Sequence, residues 1–161
     1  MRYFGEKSLS AWIHLALKAA WYLVIVGSIS LIAFLAIALF PALGGNTSTL
    51  ICQAGQSDPE WRDFVALPTS LKALVFPYLG LVTYLLLQVL AQSQRLFANF
   101  RHNAIFTAEN VASLSKLSRY LIAFSVATFN ASTLLVSLIL LLVCEIFKNG
   151  TALQEEHDLT V

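Results

Sequence analysis

The feature that most constrains this chain is the spacing of its charges. No charged residue occurs between Lys18 and Asp58, between Lys72 and Arg95, or between Arg119 and Glu145. A membrane-spanning helix needs about 20 consecutive, mostly apolar residues, because backbone amides in lipid must be satisfied within the segment. Each gap holds such a stretch, at residues 19–40, 73–92 and 120–144. The expected fold is therefore an all-α integral membrane bundle with three spans.

Composition agrees. Of the 161 residues, 58% are hydrophobic and only 12% are charged, against about 25% charge in a soluble domain. The net charge of +1 gives no electrostatic case for direct nucleic-acid binding or for acidic substrates. A cleaved signal peptide is the alternative for the first span, since Ala36-Ile37-Ala38 resembles a cleavage site. Its apolar run is longer than a signal h-region, which disfavours that reading.

Basic residues retained on the cytoplasmic side set orientation. With the N-terminus inside, Arg2, Lys7, Lys18, Arg95, Arg101, Lys116 and Arg119 face the cytoplasm, and only Arg62 and Lys72 lie in the outer loop. This predicts a cytoplasmic leader (1–18), an outer loop (41–72), a cytoplasmic segment (93–119) and an acidic tail (148–161) within one membrane domain. In the leader, Leu9, Trp12, Ile13, Ala16 and Leu17 recur at helical spacing. They form either an amphipathic helix in the headgroup layer or an extension of the first span.

The outer loop begins with the helix stop Pro41-Ala42-Leu43-Gly44-Gly45-Asn46. Further on, Asp58 as N-cap and Pro59 at the first helical position predict a short helix carrying Trp61, Phe64 and Val65. The sequons Asn46-Thr47-Ser48 and Asn149-Gly150-Thr151 are discounted as frequent chance matches. Cys52 and Cys144 fall in different settings and are read as small hydrophobes.

The cytoplasmic segment is richer. Phe106-Thr107-Ala108-Glu109-Asn110-Val111 reads as a helix start, with Thr107 capping, Glu109 in the positive first turn and Phe106 stapled to Val111. Val111, Leu114, Leu117 and Leu121 continue as a stripe towards the membrane. Phe97, Phe100 and Phe106 either pack the two helices together or form a partner-binding face. The candidate partner-binding residues are Phe100, Phe106, Thr107, Glu109 and Asn110.

Catalytic chemistry is missing from the sequence. His14, His102 and His157 are isolated, and there is no HExxH, GxSxG, GxxxxGK[ST] or CxxC motif. No ionisable residue lies within a span core, which lowers the odds of a pump or coupled transporter. Neither an enzyme nor a metal or organic cofactor is expected. Glu145 and Lys148 read as an interfacial pair.

After Gly150, which suits a helix cap, the tail turns acidic and ends Asp158-Leu159-Thr160-Val161, an apolar end able to dock in a partner's groove. The segment EIFKNGTALQEEHDLTV (145–161) resembles the closing motif of the domain-of-unknown-function 2975 family of bacterial membrane proteins. LFANFRHNAIFTAENVASL (96–114) is similar to that family's central motif, a Phe-Thr pair preceding a Glu-Asn pair. The resemblance implies a four-span inner-membrane protein, commonly encoded beside a small helix-turn-helix regulator, and hence a regulatory or scaffold role with that regulator as cytoplasmic partner. Four spans require a terminal hairpin, with helices from Thr107 to about Phe129 and from about Ala131 to Phe147, turning at Asn130-Ala131-Ser132-Thr133. Hydropathy favours a single span over 120–144, which leaves the tail outside. The hairpin brings it inside, adding Asp158, Leu159, Thr160 and Val161 to the binding residues. A second functional reading is a small carrier or sensor for an apolar ligand, built on the outer loop and span interior. Oligomeric state has no signal in the sequence.

Overall fold

A computed structural model describes residues 9–101 and 107–158. Every regular element among them is helical. In chain order these are α1 (Leu9–Leu39), α2 (Pro41–Gly44), α3 (Asn46–Ala54), a 3-10 turn (Gly55–Ser57), α4 (Pro59–Ala66), α5 (Thr69–Arg101), α6 (Ala108–Ala127) and α7 (Ala131–Asp158). Three helices are long and apolar enough to cross a membrane: Trp12–Leu39, Thr69–Phe100 and Ala131–Gly150. They expose many large side chains, including Leu23, Val26, Leu74, Leu81, Leu135 and Leu142, apolar surface of the kind that lipid covers.

The chain divides into two compact units. One comprises residues 24–83 and the other residues 1–23 with 84–161. In the first, the Thr83 hydroxyl donates to Ser28 Oγ at 3.2 Å, tying α5 to α1, and Phe40 stacks on Phe76 at 5.8 Å. The segment between α1 and α5, expected as the outer loop, is a chain of short helices. Asp58 caps α4 as the sequence predicts, its carboxylate accepting from the Glu60 amide at 3.0 Å with Pro59 behind it. At the other end of the loop, α5 already begins at Thr69, earlier than Lys72.

In the second unit, α6 and α7 form an antiparallel hairpin with α5 packed against it. Leu96, Leu114 and Leu117 make its buried centre, wrapped by Val89, Phe100, Leu121, Leu140, Val143, Cys144 and Phe147. The buried face of α6 also carries Asn110, Ser113, Ser118 and Ser125. Cys144 Sγ donates to the Val111 carbonyl at 3.7 Å across the hairpin. Stepping one residue for one from that contact sets Ser118 level with Ser137, and both are fully buried. Small residues at such a crossing let the backbones approach. Each hydroxyl is satisfied by its own helix, Ser118 donating to Leu114 and Ser137 to Leu134.

Two expectations change, and one of the two readings of the leader is selected. The segment 120–144 is not one helix, because the chain turns at Thr128–Asn130. The Phe129 amide donates to the Val126 carbonyl and the Asn130 amide to the Ser125 carbonyl, the bond pair of a Schellman cap. Asn130 Oδ1 then accepts from the Thr133 amide at 3.0 Å and starts α7, so the long apolar helix runs from Ala131 instead. Gly150 does not end a helix. The good helix formers that follow it carry α7 on to Asp158, as their propensities favour. The leader does not turn before the first span, since α1 is uninterrupted from Leu9.

Phe129 holds the left-handed conformation, φ 51°, with its side chain 94% exposed. That conformation costs an L-residue roughly 1–2 kcal/mol, and almost no packing is lost when the ring is removed. Phe129→Gly is expected to match or exceed the wild-type melting temperature in detergent, and Phe129→Val to fall by about 1 kcal/mol or more, since β-branching deepens the strain. Equal stability of all three proteins would show that the turn does not govern the hairpin.

Candidate functional site

Of the residues singled out in the sequence, Phe100, Thr107, Glu109 and Asn110 lie where α5 ends and α6 begins. Thr107 has extended backbone and caps α6, its Oγ1 accepting from the Asn110 amide at 3.3 Å. Asn110 is fully buried, and its Oδ1 accepts from Asn99 Nδ2 at 2.7 Å. A buried amide so placed joins α6 to the last turns of α5. Phe100 is half-buried against the leucine centre, edge-on to Phe97 at 5.9 Å and tilted against Phe147 at 6.5 Å. Glu109 is exposed in the first turn of α6.

Asn110 and Phe100 thus link the helices, α6 to α5 and α5 to α7, Thr107 caps α6, and Glu109 is exposed. Phe106 lies outside the described residues, as do Leu159, Thr160 and Val161. Asp158 closes α7 as a backbone position. The hairpin returns α7 to the end where α6 starts, as Cys144 on Val111 and Phe147 on Phe100 record. From Gly150 to Asp158, eight residues carry the helix roughly 12 Å further at 1.5 Å each. Glu145 and Lys148 pair at 3.7 Å on its surface, each about two-thirds exposed, which is worth at most about 0.5 kcal/mol.

Sequence reasoning missed Asn99, Gln92 and Phe147. Gln92 is 95% buried with Oε1 unpaired. A signal existed in the stripe Leu85, Val89, Gln92, Leu96, Asn99, where two amides interrupt a helical run of apolar residues. The sequence also set aside His14 as isolated. It lies beside α5, its Nδ1–H donating to the Gln94 carbonyl at 3.2 Å, while Gln94 Nε2 donates back to the Leu17 carbonyl at 3.1 Å.

The unit of residues 24–83 holds a separate groove of about 450 Å³, lined by Phe34, Ile51, Gly55, Asp58 and Trp61. Trp61 Nε1 is buried without a partner. Its indole lies over Gly55 so closely that an added Cβ there would collide with the ring.

These features describe a multi-pass helical membrane protein whose described residues contain no cluster of His, Cys, Asp or Glu fit to hold a metal ion. Comparison with protein families, curated proteins and solved structures returned no match.

The capping and amide contacts are separable by substitution. Thr107→Ala is expected to cost about 0.5–2 kcal/mol of stability in detergent and Thr107→Ser almost nothing. Asn110→Ala leaves the Asn99 amide unpaired, at about 1–3 kcal/mol. In a double-mutant cycle Asn99 and Asn110 are expected to couple by 0.5 kcal/mol or more. Additive losses would mean that the amides do not bind each other.

Proposed function

We propose that this protein is a regulatory or scaffold protein of the bacterial inner membrane that holds a cytoplasmic partner at the membrane surface. One observation carries the reading. The α6–α7 hairpin returns the helical tail to the end of the bundle where α5 gives way to α6, so both candidate binding segments emerge together. Glu109, exposed in the first turn of α6, faces a partner there, and the sequence assigns Phe106 and Asp158 to Val161 as further contacts. The basic-residue distribution puts this end, and the N-terminus, inside. The resemblance to the domain-of-unknown-function 2975 family names the partner class, a small helix-turn-helix regulator encoded nearby.

Cysteine probes in a Cys52→Ser, Cys144→Ser background test the placement. A membrane-impermeant reagent added to cells with a permeabilised outer membrane is expected to label Ser57→Cys, and to reach Glu109→Cys and Asp158→Cys only after lysis. With the tail inside, deletion of Asp158 to Val161 is expected to leave protein level unchanged and to abolish capture of the purified neighbouring regulator. Leu159→Asp should act like the deletion, because a buried unpaired charge is costly, and Val161→Ile should bind normally. Undiminished capture by the deleted protein, or labelling of Asp158→Cys in unlysed cells, sinks the docking role of the tail.

The loop groove favours a second reading, a sensor or carrier for an apolar ligand bearing a hydrogen-bond acceptor. The unpaired Trp61 N–H in a mostly apolar groove is the supporting observation. Gly55→Ala displaces the indole, so a shift in Trp61 fluorescence on addition of such a ligand is expected in the wild type and lost in the variant. A shift that survives Gly55→Ala places the ligand elsewhere.

A further inference from the structure

The first turns of α1 and the last turns of α5 enclose a polar groove of about 350 Å³, lined by His14, Trp21, Ala91, Gln94, Arg95 and Ala98. Its walls are braced rather than loosely apposed, because Gln94 bonds α1 with both its carbonyl and its side chain. Ala91 and Ala98 stand three residues before Gln94 and three after Arg95, and their small side chains keep the groove open. Neither α1 nor α5 contains a single Asp or Glu. Arg95 and Lys18 are exposed and neither makes an ion pair among the described residues, where Lys148 with Glu145 is the pair found. His14 spends its Nδ1 proton on the Gln94 carbonyl, so its ring braces the wall of the groove.

We propose that this groove is a binding site for the phosphate headgroup of an anionic phospholipid. Arg95 supplies the fixed charge and a forked donor set matched to phosphate oxygens. Lys18, one turn beyond His14, adds a second cation, and Trp21 supplies an amphipathic ring of the kind that settles at headgroup level. Its ring meets Tyr22 edge-on at 5.2 Å. The choice of a lipid over a soluble anion follows from the same turns of α1, where Trp12, Leu15, Tyr22 and Leu23 are all more than half exposed. A ligand seated here meets cations at one end and an apolar flank beside them. Basic pockets between membrane helices hold anionic headgroups by this combination. The site makes no use of the α6–α7 hairpin, so it stands or falls apart from the docking role proposed above.

Native mass spectrometry of the full-length protein, released from detergent with equal dioleoylphosphatidylglycerol and dioleoylphosphatidylcholine, tests the assignment. The wild type is expected to retain the anionic lipid several-fold over the zwitterionic one. Arg95→Gln should bring that ratio close to parity, Arg95→Lys should keep part of it, and Lys72→Gln, at the far end of α5, should leave it unchanged. Circular dichroism of Arg95→Gln should match the wild type, since the side chain is exposed. An undiminished preference in Arg95→Gln overturns the proposal. So does release of the lipid by excess inorganic phosphate at constant ionic strength, which would make the occupant a free anion.

Discussion

A helix that must reverse in an apolar setting has to find partners for the carbonyls its last turn leaves open and for the amides the next helix brings. Water satisfies them in a soluble protein, and lipid offers nothing. The turn at Thr128–Asn130 solves this within the chain. Phe124, Val126 and Ser125 receive the amides of Thr128, Phe129 and Asn130, the Thr128 hydroxyl also bonds Phe124, and the Asn130 side chain takes the Thr133 amide. The cost is a left-handed phenylalanine. In return α7 runs back along α6, and the direction of everything after Ala131 follows from that reversal.

Once reversed, the two helices need a reason to stay together. Lipid tails are as apolar as leucine, so burial alone supplies little preference for a neighbouring helix over lipid. The interior reflects this. Its fully buried side chains are Asn110, Ser118 and Ser137 in this unit and Ser48 in the other, and the leucine centre is small. Close approach at Ser118 and Ser137 gains dispersion contacts, and the Asn99–Asn110 bond adds a directional link that lipid cannot replace. Asn110 is committed to that bond, Thr107 to the α6 cap and Phe100 to Phe97 and Phe147, which leaves Glu109 as the exposed side chain of the set.

What was legible in the sequence depended on whether its signal was local. Charge-free stretches marked helices able to span a membrane, and short-range cap chemistry marked Asp58-Pro59 and Thr107 correctly. The break at Phe129 was hidden from hydropathy because Thr128, Asn130, Ser132 and Thr133 are uncharged and set between long apolar runs, and no glycine marks the left-handed position. The family-like motifs alone pointed to a hairpin there. Gly150 misled for the opposite reason: a strong local stop signal was outweighed by the helix formers beyond it. His14 was unreadable as anything but isolated, since its partner Gln94 lies 80 residues away.

The charges of α6 explain why it stands outside the three apolar helices although it packs along one of them. Glu109, Lys116 and Arg119 are all exposed, and they fall within the first twelve of its 20 residues, counted from the Thr107 end. Beyond Arg119 the exposed positions become Ala123, Val126, Phe129 and Asn130, none of them charged. The hairpin therefore has a charged base and an uncharged tip, and its two ends cannot exchange surroundings. An unpaired charge among acyl chains costs at least about 2.5 kcal/mol, so the base belongs where water or headgroups reach Lys116 and Arg119, with long side chains extending towards them. Their place along α6 limits how deeply the hairpin can enter the bilayer. It also keeps the start of α6 at the polar end.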